Sequence, residues 1–246
     1  MRIIGIDTSI TTASVALTEN GQLIAEEIHS TRGSATHPQA IHLKANHAEV
    51  ILPLIAALLR KSATSLRDVS AFAVSIGPGS FTGIRIGLST VKGLAYGLGI
   101  PVVGISTLFA NAARVDDFEG PVCSFLDARR NEVYAALFRR SGKGLTRLTE
   151  DKAAGAAEVI DTIGNLVGGA PCLFVGDGSE TYESLLMDRF ADKALLSTGD
   201  SYSSLASAVA RLSEHRLQKS SGTHLASLTP VYLRSWEAEM KKKNLP

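Results

Sequence analysis

The sequence predicts an α/β protein built from two related lobes, and three observations support this. The first half reads as three short strands followed by alternating helices and strands, and the second half repeats that order. An offset of 120 residues places Leu126-Asp127-Ala128 on Ile6-Asp7-Thr8 and Ala136-Leu137 on Ala16-Leu17. A 45% apolar composition is sufficient for a substantial core. The matched residues are few, so chance similarity is the alternative to duplication, but the shared element order favours duplication.

The elements of the first lobe follow from local patterns. Strands are predicted at 2–9, 13–18 and 22–30, with an Asn20-Gly21 turn typical of a hairpin. After a polar stretch at 33–46, apolar side chains recur with helical spacing from His47, and Pro53 either kinks this helix or lies near its first turn. The lobe continues with a strand at 69–76, a glycine-rich loop at 77–83, a helix at 84–98 and a strand at 100–105.

The second half shows the same order more weakly. It contains a predicted strand near 145–148, a helix around 156–167, a strand at 172–176 and helices near 179–190 and 203–217. We therefore expect an N-terminal lobe at 1–106, a C-terminal lobe at 107–220 and a tail at 221–246 that packs back on the lobes.

Charge and cysteine content exclude several classes of protein. The 25 basic and 24 acidic side chains give a net charge of +1, too little for binding nucleic acid by phosphate neutralisation alone. Cys123 and Cys172 have no paired spacing, which favours buried, inert thiols over a disulfide framework or a zinc site. Neither a signal-peptide core nor a membrane-spanning apolar run is found, so we expect a cytoplasmic protein with no membrane contact.

The glycine-rich loop Gly77-Pro78-Gly79-Ser80-Phe81-Thr82-Gly83 lies between a predicted strand and a predicted helix. A phosphate site is possible there, because Ser80 or Thr82 can cap the helix and a helix N-terminus attracts anions. The loop matches neither the P-loop nor the GxGxxG pattern. On composition alone, a structural turn is the favoured interpretation.

Small residues recur along the helix that follows, at Gly83, Gly87, Thr90 and Gly97. Each interior helical glycine costs about 1 kcal/mol relative to alanine, which suggests that close packing requires them. Two packing partners are possible: the helix carrying Ile51, Leu54 and Leu58 in the same lobe, or a helix of another chain.

Carboxylates and histidines offer candidates for metal chemistry. Asp7 ends the first strand before a Thr8-Ser9 turn, where a carboxylate can hold magnesium beside a phosphate, and Asp127 would face it across a cleft. The sequence Asp127-Ala128-Arg129-Arg130 contains no glycine to let backbone amides surround a phosphate, which argues against a complete ATP site. His37, His42 and His47 are spaced by five residues, so they do not share one helical face, and we expect no metal site.

Several of these segments together resemble the TsaB family, within the wider TsaD or glycoprotease-like group. They are Ile4-Gly5-Ile6-Asp7-Thr8-Ser9, His47-Ala48-Glu49 with Leu52-Pro53-Leu54, the Gly77–Gly87 block, Leu126-Asp127-Ala128-Arg129 and Pro230-Val231-Tyr232-Leu233-Arg234. The resemblance runs along nearly the whole chain. It implies two ribonuclease H-like lobes of the actin/Hsp70/sugar-kinase (ASKHA) superfamily.

The resemblance also implies a function. Members are non-catalytic subunits that act with TsaD and TsaE in transferring threonylcarbamoyl to adenosine 37 of tRNA. It implies a homodimer in isolation and contact with tRNA only through the complex. It implies no cofactor, leaving open an ATP or ADP bound weakly or at the TsaD interface. The alternative function is a stand-alone actin-like ATPase or a glycoprotease-like peptidase.

The resemblance assigns roles to two sets of residues, according to their positions in the matching segments. The partner surface would comprise His47, Ile51, Pro53, Leu54, Leu58, Thr82, Gly83, Arg85, Ile86, Gly87, Thr90 and Gly97. Vestigial nucleotide-site positions would be Asp7, Thr8, Ser9, Gly79, Ser80 and Asp127. The sequence departs from the catalytic relative in its His-x4-His spacing and in the absence of a phosphate-binding glycine loop from the second lobe. The polar stretch at 33–46 is longer than is usual for the family.

Overall fold

The computed structural model describes residues 1–30, 46–197, 204–219 and 225–234. The predicted polar stretch lies outside these residues except for Asn46, and so do His37 and His42.

The first sheet has five strands, and its chain order confirms the predicted meander. They are β1 (Arg2–Asp7), β2 (Thr12–Glu19), β3 (Gln22–Ser30), β4 (Ala71–Gly77) and β5 (Val102–Ser106). Their spatial order is β3-β2-β1-β4-β5. The first three strands pair antiparallel, whereas β4 and β5 run parallel to β1. Parallel pairing requires crossover connections, which two helices supply.

These two helices are α1 (His47–Lys61) and α2 (Phe81–Leu98). The Asn46 side chain caps α1 by accepting hydrogen bonds from the amides of Ala48 and Glu49. Pro53 lies inside α1 without ending it. Helix α2 begins earlier than predicted, because the Ser80 hydroxyl caps it at Gly83 N and brings Phe81 into its first turn.

The second sheet repeats the topology of the first. Its strands are β6 (Gly120–Arg129), β7 (Glu132–Ser141), β8 (Gly144–Arg147), β9 (Lys152–Gly155), β10 (Cys172–Val175) and β11 (Ala194–Leu196). Their order is β11-β10-β6-β7-β8, and β9 also pairs with β7, so β8 and β9 together occupy the place of β3. The predicted two-lobed α/β fold is therefore confirmed.

Three helices flank the far side of the second sheet, namely α4 (Ala156–Val167), α5 (Asp177–Thr181) and α6 (Glu183–Phe190). The single helix predicted at 179–190 is wrong, because Tyr182 leaves helical geometry and separates α5 from α6. Helices α4 and α6 bury Ile160, Leu186 and Phe190 against β6, β7 and β10.

Two more helices lie between the sheets, α3 (Thr107–Ala113) and α7 (Ala206–Lys219). Helix α7 packs on the first sheet although the sequence places it in the second lobe: a Cβ at Gly5 would lie 2.1 Å from the Ala206 carbonyl oxygen. Side chains alternate in β1, so Ile4 and Ile6 contact the layer of α1 and α2, while Ile3 contacts α7. The first sheet is thus covered on both faces. The exact domain limits stay a prediction.

Residues 225–234 return to the lobes as an extended segment with turns. Leu228 is buried in the core of the first lobe, and Val231 N donates to the Ile76 carbonyl. Arg234 donates to the Ala128 carbonyl at 2.7 Å and forms an ion pair with Glu132 at 3.1 Å. This segment therefore links the two lobes.

Both cysteines are free thiols buried among apolar side chains. Burial raises the pKa of Cys172 to about 12 and raises that of Cys123 well above its ordinary value. The prediction of buried thiols is confirmed, and their inertness stays a prediction. Within the described part of the chain, none of the helices has both the length and the apolar character needed to cross a membrane.

Candidate functional site

The Asp7-Thr8-Ser9 turn and the Gly77–Ser80 loop meet at the carboxyl ends of β1 and β4. These strands are parallel neighbours, so their ends lie at the same edge of the sheet. The Ser80 amide donates to the Ser9 carbonyl at 2.7 Å, which joins the two segments directly. The predicted nucleotide-site residues of the first lobe are thus brought together.

Asp7 is fully buried in this turn. Its Oδ1 accepts hydrogen bonds from the Ser9 hydroxyl at 2.5 Å and the Ser9 amide at 3.2 Å. Its Oδ2 has no hydrogen-bond partner among the described residues; the Ser75 hydroxyl is near but does not meet hydrogen-bond geometry. Burial raises the pKa of Asp7, while Ser75, Ser9 and then the charge of His47 act in the opposite direction.

The glycine loop is packed against its own chain. A Cβ at Gly79 would lie 2.3 Å from the Ser9 carbonyl oxygen, so only glycine fits there. The amides of Ser80 and Gly83 are already bonded, to Ser9 O and to the Ser80 hydroxyl respectively. A phosphate cradle needs such amides free to bind the anion. The geometry therefore agrees with the structural-turn interpretation.

The first two glycines of α2 pack on the same turn. A Cβ at Gly83 would lie 1.9 Å from the Thr8 carbonyl oxygen, and one at Gly87 would lie 2.5 Å from Thr8 Oγ1. The Thr8 hydroxyl in turn donates to the Gly83 carbonyl at 2.7 Å. Neither partner suggested by the sequence is therefore correct for these two glycines. They approach β1, whereas Gly97 has open space around it.

The predicted partner surface divides by burial. Ile51, Leu54, Leu58, Gly83 and Gly87 face the chain's own core and present no surface to a partner. This corrects the prediction for these five, because the apolar stripe of an amphipathic helix packs on its own sheet. His47, Ile86 and Thr90 are half-buried, and Pro53, Thr82, Arg85 and Gly97 are exposed. For these seven residues the partner role stays a prediction.

Arg85 has a partner within the chain. Its guanidinium lies 3.8 Å from the centre of the Phe81 ring, and its Nε donates to the Tyr232 hydroxyl at 2.8 Å. Phe81 and Tyr232 stack with ring centres 4.6 Å apart. The C-terminal segment therefore covers the first turn of α2.

An uncharged surface remains on α1 and α2, which includes the predicted Pro53 and Gly97 together with four residues that the sequence analysis missed. We define the outer helix face as Leu52, Pro53, Ala56, Gly93, Tyr96 and Gly97, all exposed. Leu52 is 54% exposed and Tyr96 is 83% exposed. The available signal was the occurrence of large apolar side chains away from the core stripe of each helix, at positions where polar residues are usual.

The second lobe contains a counterpart of this turn and loop. Asp127 accepts a hydrogen bond from Arg129 N at 2.8 Å, and its amide donates to Asp177 at 3.0 Å. Gly176 and Gly178 lie just after β10, much as Gly77 and Gly79 lie at the end of β4. A Cβ at Gly176 or Gly178 would lie within 2.8 Å of the Phe125 carbonyl oxygen. A glycine turn therefore exists where none was predicted. Its glycines serve close packing on β6.

Metal ligands do not converge in the part of the chain that the structure describes, where no three His, Cys, Asp or Glu side chains are grouped to hold an ion. His47 lies at the start of α1, and both other histidines of the predicted series fall outside the described residues. The expectation of no metal site stays a prediction.

Comparison with known proteins gives consistent results. Residues 22–242 match the family model described as TsaD, tRNA N6-adenosine threonylcarbamoyltransferase. The tRNA threonylcarbamoyladenosine biosynthesis protein TsaB of Bacillus subtilis is 31% identical over 241 residues, covering 98% of this chain and 97% of the relative. Both matches span almost the whole chain.

Solved structures agree in fold. A Pseudomonas aeruginosa protein described as similar to the peptidase YeaZ has a TM-score of 0.73 and 26% identity, covering 95% of this chain and 99% of its own. A ROK hexokinase from Thermus thermophilus has a TM-score of 0.51 at 11% identity, covering 89% and 100%, which shows the sugar-kinase fold alone. With two lobes of this fold and relatives along its full length, the chain belongs to the TsaB family, within the group that the TsaD family model describes.

Proposed function

We propose that this protein is a non-catalytic subunit of the cytoplasmic machinery for tRNA threonylcarbamoyladenosine biosynthesis. In this proposal it binds TsaD through the outer helix face and acts with TsaE while TsaD transfers threonylcarbamoyl to adenosine 37. It contacts tRNA only through the complex and needs no cofactor of its own. In the absence of TsaD, the same face joins two copies in a homodimer.

The observation that carries the proposal is the outer helix face itself. Its six residues bear no charge, and Leu52 and Tyr96 project into solvent instead of the core. Exposed apolar side chains grouped on two adjacent helices are typical of protein interaction sites, and tyrosine is enriched at their energetic centres. Gly93 and Gly97 add an open surface that lets a partner helix approach closely.

The packing of the nucleotide-site positions supports a non-catalytic role. The amides of Ser80 and Gly83 and one oxygen of Asp7 are bonded within the chain. A phosphate would have to displace these contacts before it could bind. The near-neutral net charge supports a protein partner over direct binding of RNA.

The proposal is tested by reconstituting the modification with purified TsaD, TsaE, threonylcarbamoyl-AMP and tRNA. Modified adenosine should accumulate with this protein present and fall to background when it is omitted. A reaction that lacks only TsaD should produce no modified adenosine. Unchanged modification without this protein would contradict the subunit role.

The alternative, a stand-alone ATPase or a glycoprotease-like peptidase, is motivated by the buried Asp7 and the glycine loop. The purified protein should release no phosphate from ATP and cleave no peptide above the rate of a buffer blank. ATP hydrolysis that disappears in Asp7→Ala would instead favour the ATPase.

A further inference from the structure

A cleft lies between α3, the β7–β8 hairpin and α7, where the two lobes meet. Its volume is about 640 Å³, within the usual range for small-molecule sites. Arg140, Lys143 and Arg211 line it together with apolar side chains that include Phe109, Leu145 and Leu212. Because α7 and α1 pack on opposite faces of the first sheet, this cleft is separate from the outer helix face.

Arg140 is the unusual member of this cleft. Its side chain is only 5% exposed, yet its Nε has no hydrogen-bond acceptor among the described residues. One Nη atom donates to the Ala113 carbonyl at 3.2 Å and to the Ala112 carbonyl at 3.5 Å, and the other forms a long ion pair with Asp116 at 3.9 Å. A buried guanidinium is costly unless its donors are satisfied, and here the Nε donor is unsatisfied and the ion pair with Asp116 is too long for a hydrogen bond.

The two carboxylates at the cleft do not neutralise all of its positive charge. Asp116 lies 3.9 Å from Arg140 and 3.8 Å from Arg211, both longer than a hydrogen bond, and its side chain is largely exposed. Glu119 accepts a hydrogen bond from Gly142 N at 2.7 Å and is held at the rim. Among the residues that the structure describes, three cationic side chains thus line the cleft with two carboxylates, and Asp116 contacts its two arginines only at long ion-pair distances.

We propose that this cleft binds a small phosphorylated molecule. The phosphoryl group would receive hydrogen bonds from Arg140 and Arg211, whose forked guanidinium groups suit its oxygens, and Lys143 would add charge at the rim. The apolar part of the ligand would lie against Phe109, Leu145 and Leu212. The proposal does not depend on the subunit role, because it uses a different surface.

Isothermal titration with phenyl phosphate, inorganic phosphate and benzoate tests the site. Phenyl phosphate should bind at least about tenfold more tightly than inorganic phosphate, because only the former has a ring to bury. Arg211→Gln and Lys143→Gln, both at exposed positions, should each weaken phenyl phosphate binding by about fivefold to tenfold. Arg67→Gln, an exposed cation of the first lobe, is the matched control and should bind as wild type does.

Three results would overturn the proposal. They are no binding of phenyl phosphate at millimolar concentration, binding that Arg211→Gln leaves unchanged, and benzoate binding as tightly as phenyl phosphate. The last would show a site for carboxylates. Thermal unfolding of each variant should match wild type, which separates loss of the site from loss of the fold.

Discussion

Gly87 of α2 lies against Thr8 of the β1–β2 turn, with 2.5 Å between the position of a Cβ at Gly87 and the Thr8 hydroxyl oxygen. The contact joins the helix to the end of the central strand within one chain. It explains why the helix keeps a glycine that its own propensity disfavours. The same helix offers Gly93 and Gly97 on its open side.

We expect Gly87→Ala to destabilise the folded protein by about 1–2 kcal/mol, because the new methyl group overpacks against Thr8 and offsets the gain in helix propensity. Gly93→Ala is the matched control in the same helix. It should stabilise the fold by about 0.5–1 kcal/mol, since no atom lies within 4 Å of its Cβ position. Urea unfolding followed by circular dichroism measures both. Equal stabilisation by the two substitutions would contradict the packing described for Gly87.

Gly5→Ala should have a larger effect, at or above the upper end of the roughly 1–3 kcal/mol seen for overpacked cores. Its Cβ would lie 2.1 Å from the Ala206 carbonyl oxygen and 2.8 Å from Ala210 N, both backbone atoms of α7 that a rotamer change does not move. Hydrogen exchange should show faster opening of α7 than in wild type. Unchanged protection of α7 would argue against its close packing on β1.

The buried Asp7 predicts a dependence of stability on pH. Its folded pKa lies above the ordinary value of 3.8, so between these two values the folded state binds a proton that the unfolded state has released. The free energy of unfolding should therefore fall as pH rises through this window and stay level above it. Asp7→Asn removes the titration and keeps an oxygen for Ser9, so its stability relative to wild type should rise over the same window.

Urea unfolding at several pH values tests this prediction, with Asp117→Asn as the control at an exposed carboxylate. The Asp117→Asn profile should run parallel to that of wild type. A loss of stability in Asp7→Asn at neutral pH would show that the ionised carboxylate is required in the folded state.

Most strands and helices could be predicted because they have local signals, but the short elements α3, β9 and β11 were not predicted. The offset between Asp7 and Asp127 also identified the duplicated lobes, whose sheets share one strand order. The packing partners of Gly87 and the return of α7 to the first sheet could not be predicted, since both depend on contacts between residues far apart in the chain. For the same reason, Arg140 gave no sequence signal of its cleft.

The predicted partner surface wrongly included residues from the buried side of α1 and α2. Ile51, Leu54 and Leu58 recur with the period of a helix, and this pattern indicates a buried face without saying whether its partner is the same chain. Leu52 and Tyr96 lie off that pattern and are exposed instead. The buried and exposed faces of α1 and α2 can be told apart only when the position of the sheet relative to the helices is known.

The affinity for TsaD of two matched variants tests the partner role of the outer helix face most directly. Leu52 is 54% exposed on α1 and Leu166 is 56% exposed on α4 of the other lobe, so Leu52→Asp and Leu166→Asp introduce the same charge at similarly exposed helical residues. We expect Leu52→Asp to weaken TsaD binding at least about 30-fold, because the variant would bury an unpaired charge in the interface. Leu166→Asp should stay within about threefold of wild type. Equal affinities for the two variants would contradict the account.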